Sequence, residues 1–85
     1  MQKSNHKDIK PLPKPIFKKQ IKYMLNDVLP SDLMHELNHI IAKNRNITFE
    51  EAAPKKAIRL KEYIALCKLF HYPEGYERPD ESLIA

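Results

Sequence analysis

Apolar positions recur with helical spacing along most of this chain. Phe17, Ile21, Met24, Leu25 and Val28 fall at i, i+4, i+7, i+8 and i+11, one continuous stripe. Lys18, Lys19, Lys22 and Asn26 take the opposite face. The spacing predicts a helix over 15–29. Pro15 suits its first position, where a missing N–H costs nothing, and Pro30 ends it. A second helix is expected at once, over 31–44, with Ser31 as N-cap and Asp32 in the first turn. Leu33, Met34, Leu37, Ile40 and Ile41 form its apolar face, and Asn44-Arg45-Asn46 reads as a turn.

Thr48 followed three residues later by Glu51 is a capping box, which predicts a short helical turn over 48–53. Pro54 interrupts it. A last helix is expected over 54–72. Its first half carries Lys55, Lys56, Arg59 and Lys61. Its second half is apolar nearly all round: Leu60, Ile64, Cys67 and Phe70 on one side, Ile58, Ala65, Leu66 and Leu69 on another. A helix apolar on two sides is packed from two sides. Pro73-Glu74-Gly75 then marks a turn. No stretch reads as a strand, and there is no internal repeat.

The expected fold is therefore all-α: a small bundle of three main helices plus a short helical turn. Residues 1–14 read as a disordered, basic, Pro-containing tail, 15–72 as a single helical domain and 73–85 as an acidic C-terminal tail. The chain has one Gly and seven Pro, which fits helices better than hairpins. At 85 residues it buries about 60–65% of its unfolded surface, and the core alone supplies roughly 3–5 kcal/mol. A partner or a second copy is a natural source of further stability.

Cys67 is the only cysteine, so no disulfide framework exists within the chain. The Lys-rich start is followed by no apolar stretch of the signal-peptide kind, and no apolar run reaches a membrane span. These features lead us to expect a cytoplasmic protein, with no membrane and no small-molecule substrate. The formal charge of +4 is unevenly placed: +6 over 1–22, −3 over 23–53, +4 over 54–72 and −3 over 73–85. Alternating blocks of this kind compensate one another, or serve a polyanion.

Three chemistries are written into these residues. The two-sided half of the last helix suggests a docking surface for a protein partner or a homodimer, with Ile58, Tyr63, Leu66, Leu69 and Phe70 as candidates. This is the leading expectation: a non-catalytic, regulatory or adaptor-type binding protein with no cofactor. The second is nucleic-acid binding, of the transcription-regulator type, through Lys18, Lys19, Lys22, Lys55, Lys56, Arg59 and Lys61. Lysines of this kind contact phosphates rather than base edges, and no aromatics interleave with them for stacking on single strands. The third is His35-Glu36-Leu37-Asn38-His39, an H-E-x-x-H string. It resembles the zincin metalloproteases over five residues. The resemblance implies zinc on His35 and His39 with Glu36 as general base. The longer metzincin pattern requires Gly and His where Ala42 and Arg45 stand, and Glu62 is the one candidate for the later glutamate of the other common pattern. No catalytic residues are therefore assigned, and the two histidines read as a solvated pair on an exposed helix face. Cys67, in an apolar stretch, reads as buried and inert.

Overall fold

The chain is organised around one long helix. The computed structural model describes residues 9–84 of the chain, with side chains through residue 82. In chain order the elements are β1 (Ile16–Phe17), α1 (Lys18–Met24), α2 (Pro30–Arg45), α3 (Phe49–Ala52), β2 (Ala57–Ile58), α4 (Leu60–Leu69) and a terminal 3-10 turn (Glu81–Ile84). Helix α2 packs against α1, α3 and α4. Leu33, Leu37 and Ile41, at i, i+4 and i+8 of α2, are completely buried. They meet Ile21, Met24 and Leu25 from the first helical region and Tyr63, Ile64, Leu66 and Cys67 from α4, in one cluster. The protein is small and mostly helical, and no helix among the described residues is long and apolar enough to cross a membrane.

The fold is not purely helical. β1 and β2 form a two-stranded antiparallel ladder, with Ile16 opposite Ile58 and Phe17 opposite Ala57. This ladder explains why two expected helices begin late. The helix expected over 15–29 starts only at Lys18, because Ile16 and Phe17 are extended and paired. It ends at Met24, and Leu25 leaves helical geometry while its N–H still bonds Ile21 O. The helix expected over 54–72 starts only at Leu60. Its nominal first turns are the loop after Pro54 and strand β2. Glu62 Oε1 accepts the Arg59 N–H at 2.7 Å, which caps the new start.

Helix α2 follows the expectation closely, except that Pro30 opens it at N1 instead of closing the helix before it. Ser31 lies inside the first turn, and Leu29 is the N-cap. Asn46 closes α2 in the left-handed conformation, φ 57°, with Ile47 N–H bonding Ala42 O. The capping box of α3 is formed by both of its bonds, Thr48 N to Glu51 Oε1 at 2.9 Å and Glu51 N to Thr48 Oγ1 at 3.0 Å.

Helix α4 narrows the two-sided reading. It buries Glu62, Tyr63, Ile64, Leu66 and Cys67 over about half of its circumference. Lys61, Ala65, Lys68 and Leu69 are exposed on the other. Ile58 has left the helix for β2. The terminal regions are also placed. Lys10 N–H bonds Gly75 O, and Glu77 N–H bonds Lys10 O, a parallel bridge between the two ends of the described chain. Tyr72 and Tyr76 pack against the core cluster. Lys10, Leu12, Gly75, Glu77 and Glu81 therefore have partners within segments expected as tails. Residues 1–8 of the expected N-terminal tail lie outside the described residues.

A buried ion pair joins the ends of α2 and α4. Glu62, 0% exposed, accepts from Arg45 Nε and Nη2, both at 2.8 Å, from Asn44 Nδ2 at 2.9 Å and from the Arg59 N–H. Arg45 also donates to Ala57 O at 3.2 Å, which ties β2 into the same network. Burial pushes the Glu62 carboxyl up, but the bonds from Arg45, Arg59 and Asn44 together hold it below its usual range. Hydrogen bonding to Glu62 raises Arg45 in turn, against its own partial burial, so both partners favour the charged form.

Candidate nucleic-acid interface

Strand alternation decides where Phe17 goes. Successive side chains on a strand face opposite ways. Ile16 enters the core, and Phe17 turns to a cleft on the other side, where it is half-buried. The next residue, Lys18, opens α1. Its backbone N–H bonds Lys56 O at 2.8 Å, which fixes α1 against the segment before β2. Two lysine groups far apart in sequence are thereby brought together.

The Lys18 ammonium is almost wholly buried and donates to Asn38 Oδ1, to Ala52 O at 3.0 Å and to Ala53 O at 3.0 Å. Three acceptors match its three N–H groups. The two carbonyls belong to the end of α3, so Lys18 also serves as a cap. Burial first, and the Arg45 charge second, lower the Lys18 pKa, and Glu62 opposes them. Lys18 therefore contributes charge to the cleft but has no spare donor for a ligand.

The cleft has a volume of about 590 Å³. Lys19 and Lys22 of α1 stand on one wall, and Lys55 and Lys56 on the other. Phe17, Met34 and Pro54 supply apolar surface between them. These four lysines are exposed, and no carboxylate of the described residues lines the cleft. Among the described residues, none of the four lies within 4.0 Å of a carboxylate oxygen. The local field is therefore positive and uncompensated at close range.

Five of the seven sequence candidates for phosphate contact, Lys18, Lys19, Lys22, Lys55 and Lys56, meet here. Arg59 and Lys61 do not. Arg59 is the exposed N-cap of α4, and Lys61 lines a separate depression with Lys43 and Glu62. Phe17 belongs to the cleft although its sequence pattern assigned it to a helical core stripe. This corrects the reading that no aromatic side chain accompanies the lysines. The adjacency Phe17-Lys18-Lys19 was visible, but only pairing as a strand turns Phe17 toward the lysines.

The other candidates are placed differently. Ile58, Tyr63 and Leu66 are core residues of this chain, whereas Phe70 is half-buried and Leu69 is 55% exposed. His35 and His39 are exposed on α2, with ring centroids 4.6 Å apart, and both lie tilted against the Phe49 ring. Among the described residues, no group of three or more His, Cys, Asp or Glu side chains is arranged to hold a metal ion. Cys67 is buried, and that burial pushes its thiol up to about 11. A second cleft, of about 680 Å³, lies between Tyr23 and the C-terminal segment. There His71 bonds Asp27 at 2.8 Å, and the Lys10 ammonium lies 5.7 Å from the Tyr76 ring centre. Its polar groups join Asp27 to His71 and Lys10 to Tyr76. Compared with known proteins, this chain matches no family, no curated protein and no solved structure.

Proposed function

We propose that this is a nucleic-acid-binding protein that holds the phosphate backbone in the cleft between α1 and the 53–56 segment. One observation carries the reading: four exposed lysines from two separate parts of the chain converge on one cleft, with no neutralising carboxylate among the described residues. Lysine ammonium groups are point charges suited to phosphate, and they carry little sequence preference. Asn38, the residue in the cleft best suited to reading a base edge, already accepts from Lys18 through its amide oxygen. Binding of this kind is insensitive to sequence.

The test is the salt dependence of binding to a labelled oligonucleotide, followed by fluorescence anisotropy. Four phosphate contacts give a slope of about −2.8 on single strands and about −3.6 on duplex, so affinity falls roughly 50- to 150-fold between about 50 and 200 mM salt. Lys55→Gln with Lys56→Gln halves the slope. Arg59→Gln with Lys61→Gln, outside the cleft, leaves it nearly unchanged. Binding that ignores salt, or that depends on Arg59 and Lys61 instead, removes the proposal.

The competing reading is docking of a protein partner or a second copy through α4. Three of its five residues are in the core, which leaves Leu69 and Phe70 to support it. It requires association that survives high salt and is lost in Leu69→Lys.

A further inference from the structure

We infer that the cleft selects single-stranded over duplex nucleic acid, one base stacking on Phe17 between phosphates held by the two lysine walls. This rests on the phosphate-binding reading of the same cleft and adds the class of ligand. The first ground is the setting of Phe17. An aromatic ring in one cleft with four lysines that pair with no carboxylate among the described residues is the combination that single strands use, because every base has a face to stack and every nucleotide a phosphate to neutralise.

The second ground is shape. The surface is concave, and its volume of about 590 Å³ is that of a small-molecule site. A base reaches an aromatic ring in such a cleft only when it is out of its own helical stack. In a duplex the phosphates lie outside and the bases inside, so the exposed lysines make contact while Phe17 has no base face to stack on. The third ground is the arrangement of charge. Lys19 and Lys22 are three apart on α1 and so share a face. Lys55 and Lys56 approach from the other wall, held there by the Lys18 N–H to Lys56 O bond. A strand crossing the cleft therefore meets cations from both segments, in the same cleft that Phe17 lines. Met34 and Pro54 add apolar surface for the base edge.

The chain contains no Trp, so Phe17→Trp introduces a single indole reporter. The experiment titrates full-length Phe17→Trp with a short oligothymidine and with a duplex of equal length, at matched salt. Stacking quenches the indole on the single strand and leaves it bright on the duplex. In the otherwise unchanged protein, anisotropy is expected to show the single strand bound about tenfold more tightly than the duplex. Phe17→Leu removes that preference, with the salt slope on single strands kept, and Phe17→Tyr retains it. Equal affinity for both forms with no quenching overturns single-strand selection while the lysine cleft stands as a phosphate site. Failure to bind either form overturns both proposals.

Discussion

Replacing Glu62 by Ala removes the one acceptor shared by four donors at the junction of α2, α4 and β2. Arg45 Nε and Nη2, Asn44 Nδ2 and the Arg59 N–H all point at this carboxylate, with distances of 2.7–2.9 Å. Glu62 is 0% exposed, and the Arg45 side chain is 16% exposed, so water is poorly placed to substitute. Breaking a buried pair by removing one partner costs about 3–5 kcal/mol, because the other charge is left uncompensated. The whole stability of an 85-residue domain is about 4–13 kcal/mol. Glu62→Ala is therefore expected to lose roughly a quarter or more of it. With a urea m-value of about 1 kcal/mol/M for a protein of this size, the midpoint falls by roughly 3–5 M. The assay is urea unfolding followed by far-UV circular dichroism. The pH dependence gives a second reading. The folded Glu62 carboxyl titrates below the unfolded one. Its contribution is complete above the unfolded carboxyl range, near pH ~4.3, and is lost as pH falls through the folded value. Glu62→Gln is expected to flatten this acid limb. A midpoint shift below about 1 M in Glu62→Ala, or an unchanged acid limb in Glu62→Gln, refutes the view that this pair joins the two helices.

Two further outcomes follow from the same reasoning. Lys18→Met leaves Asn38 Oδ1 and the carbonyls of Ala52 and Ala53 without their donor; we expect a loss of about 1–3 kcal/mol in urea unfolding, and a loss under 0.5 kcal/mol contradicts the capping role. The backbone bond to Tyr72 and the carboxylate of Asp27 raise the His71 pKa. The His71–Asp27 contact therefore stabilises fully below the unfolded histidine value near ~6.5 and fades as pH rises through the folded one. An NMR titration is expected to show His71 above that value and Asp27→Asn to lower it.

The parts of the fold that were legible are those set by local pattern. The i, i+4, i+8 spacing of Leu33, Leu37 and Ile41 and the Thr48–Glu51 box are local devices, and both stand where the pattern places them. The ladder of Ile16–Phe17 with Ala57–Ile58 was not legible, because two residues per strand are too few to show a period of two. Missing it lengthened the first and last helices, since Phe17 fits a helical stripe and Lys55, Lys56 and Arg59 fit a helical face. The same pairing accounts for the site. The lysines were readable from charge as candidates for phosphate contact. The meeting of Lys19 and Lys22 with Lys55 and Lys56 required a contact across more than thirty residues, made by the Lys18 N–H to Lys56 O bond. The burial of Tyr63 and Leu66, two of the docking candidates, was hidden for the opposite reason. In a small domain one helix supplies much of the core, so Tyr63, Ile64, Leu66 and Cys67 are consumed internally.

The most direct measurement of the central claim is an amide chemical-shift map of the labelled protein, titrated with a short oligothymidine at low salt. Perturbations confined to residues 17–22, 34–38 and 53–56 are the expected result, since these segments line the cleft. Perturbations centred on Leu69 and Phe70, on Arg59 and Lys61, or spread over every lysine of the surface would contradict it.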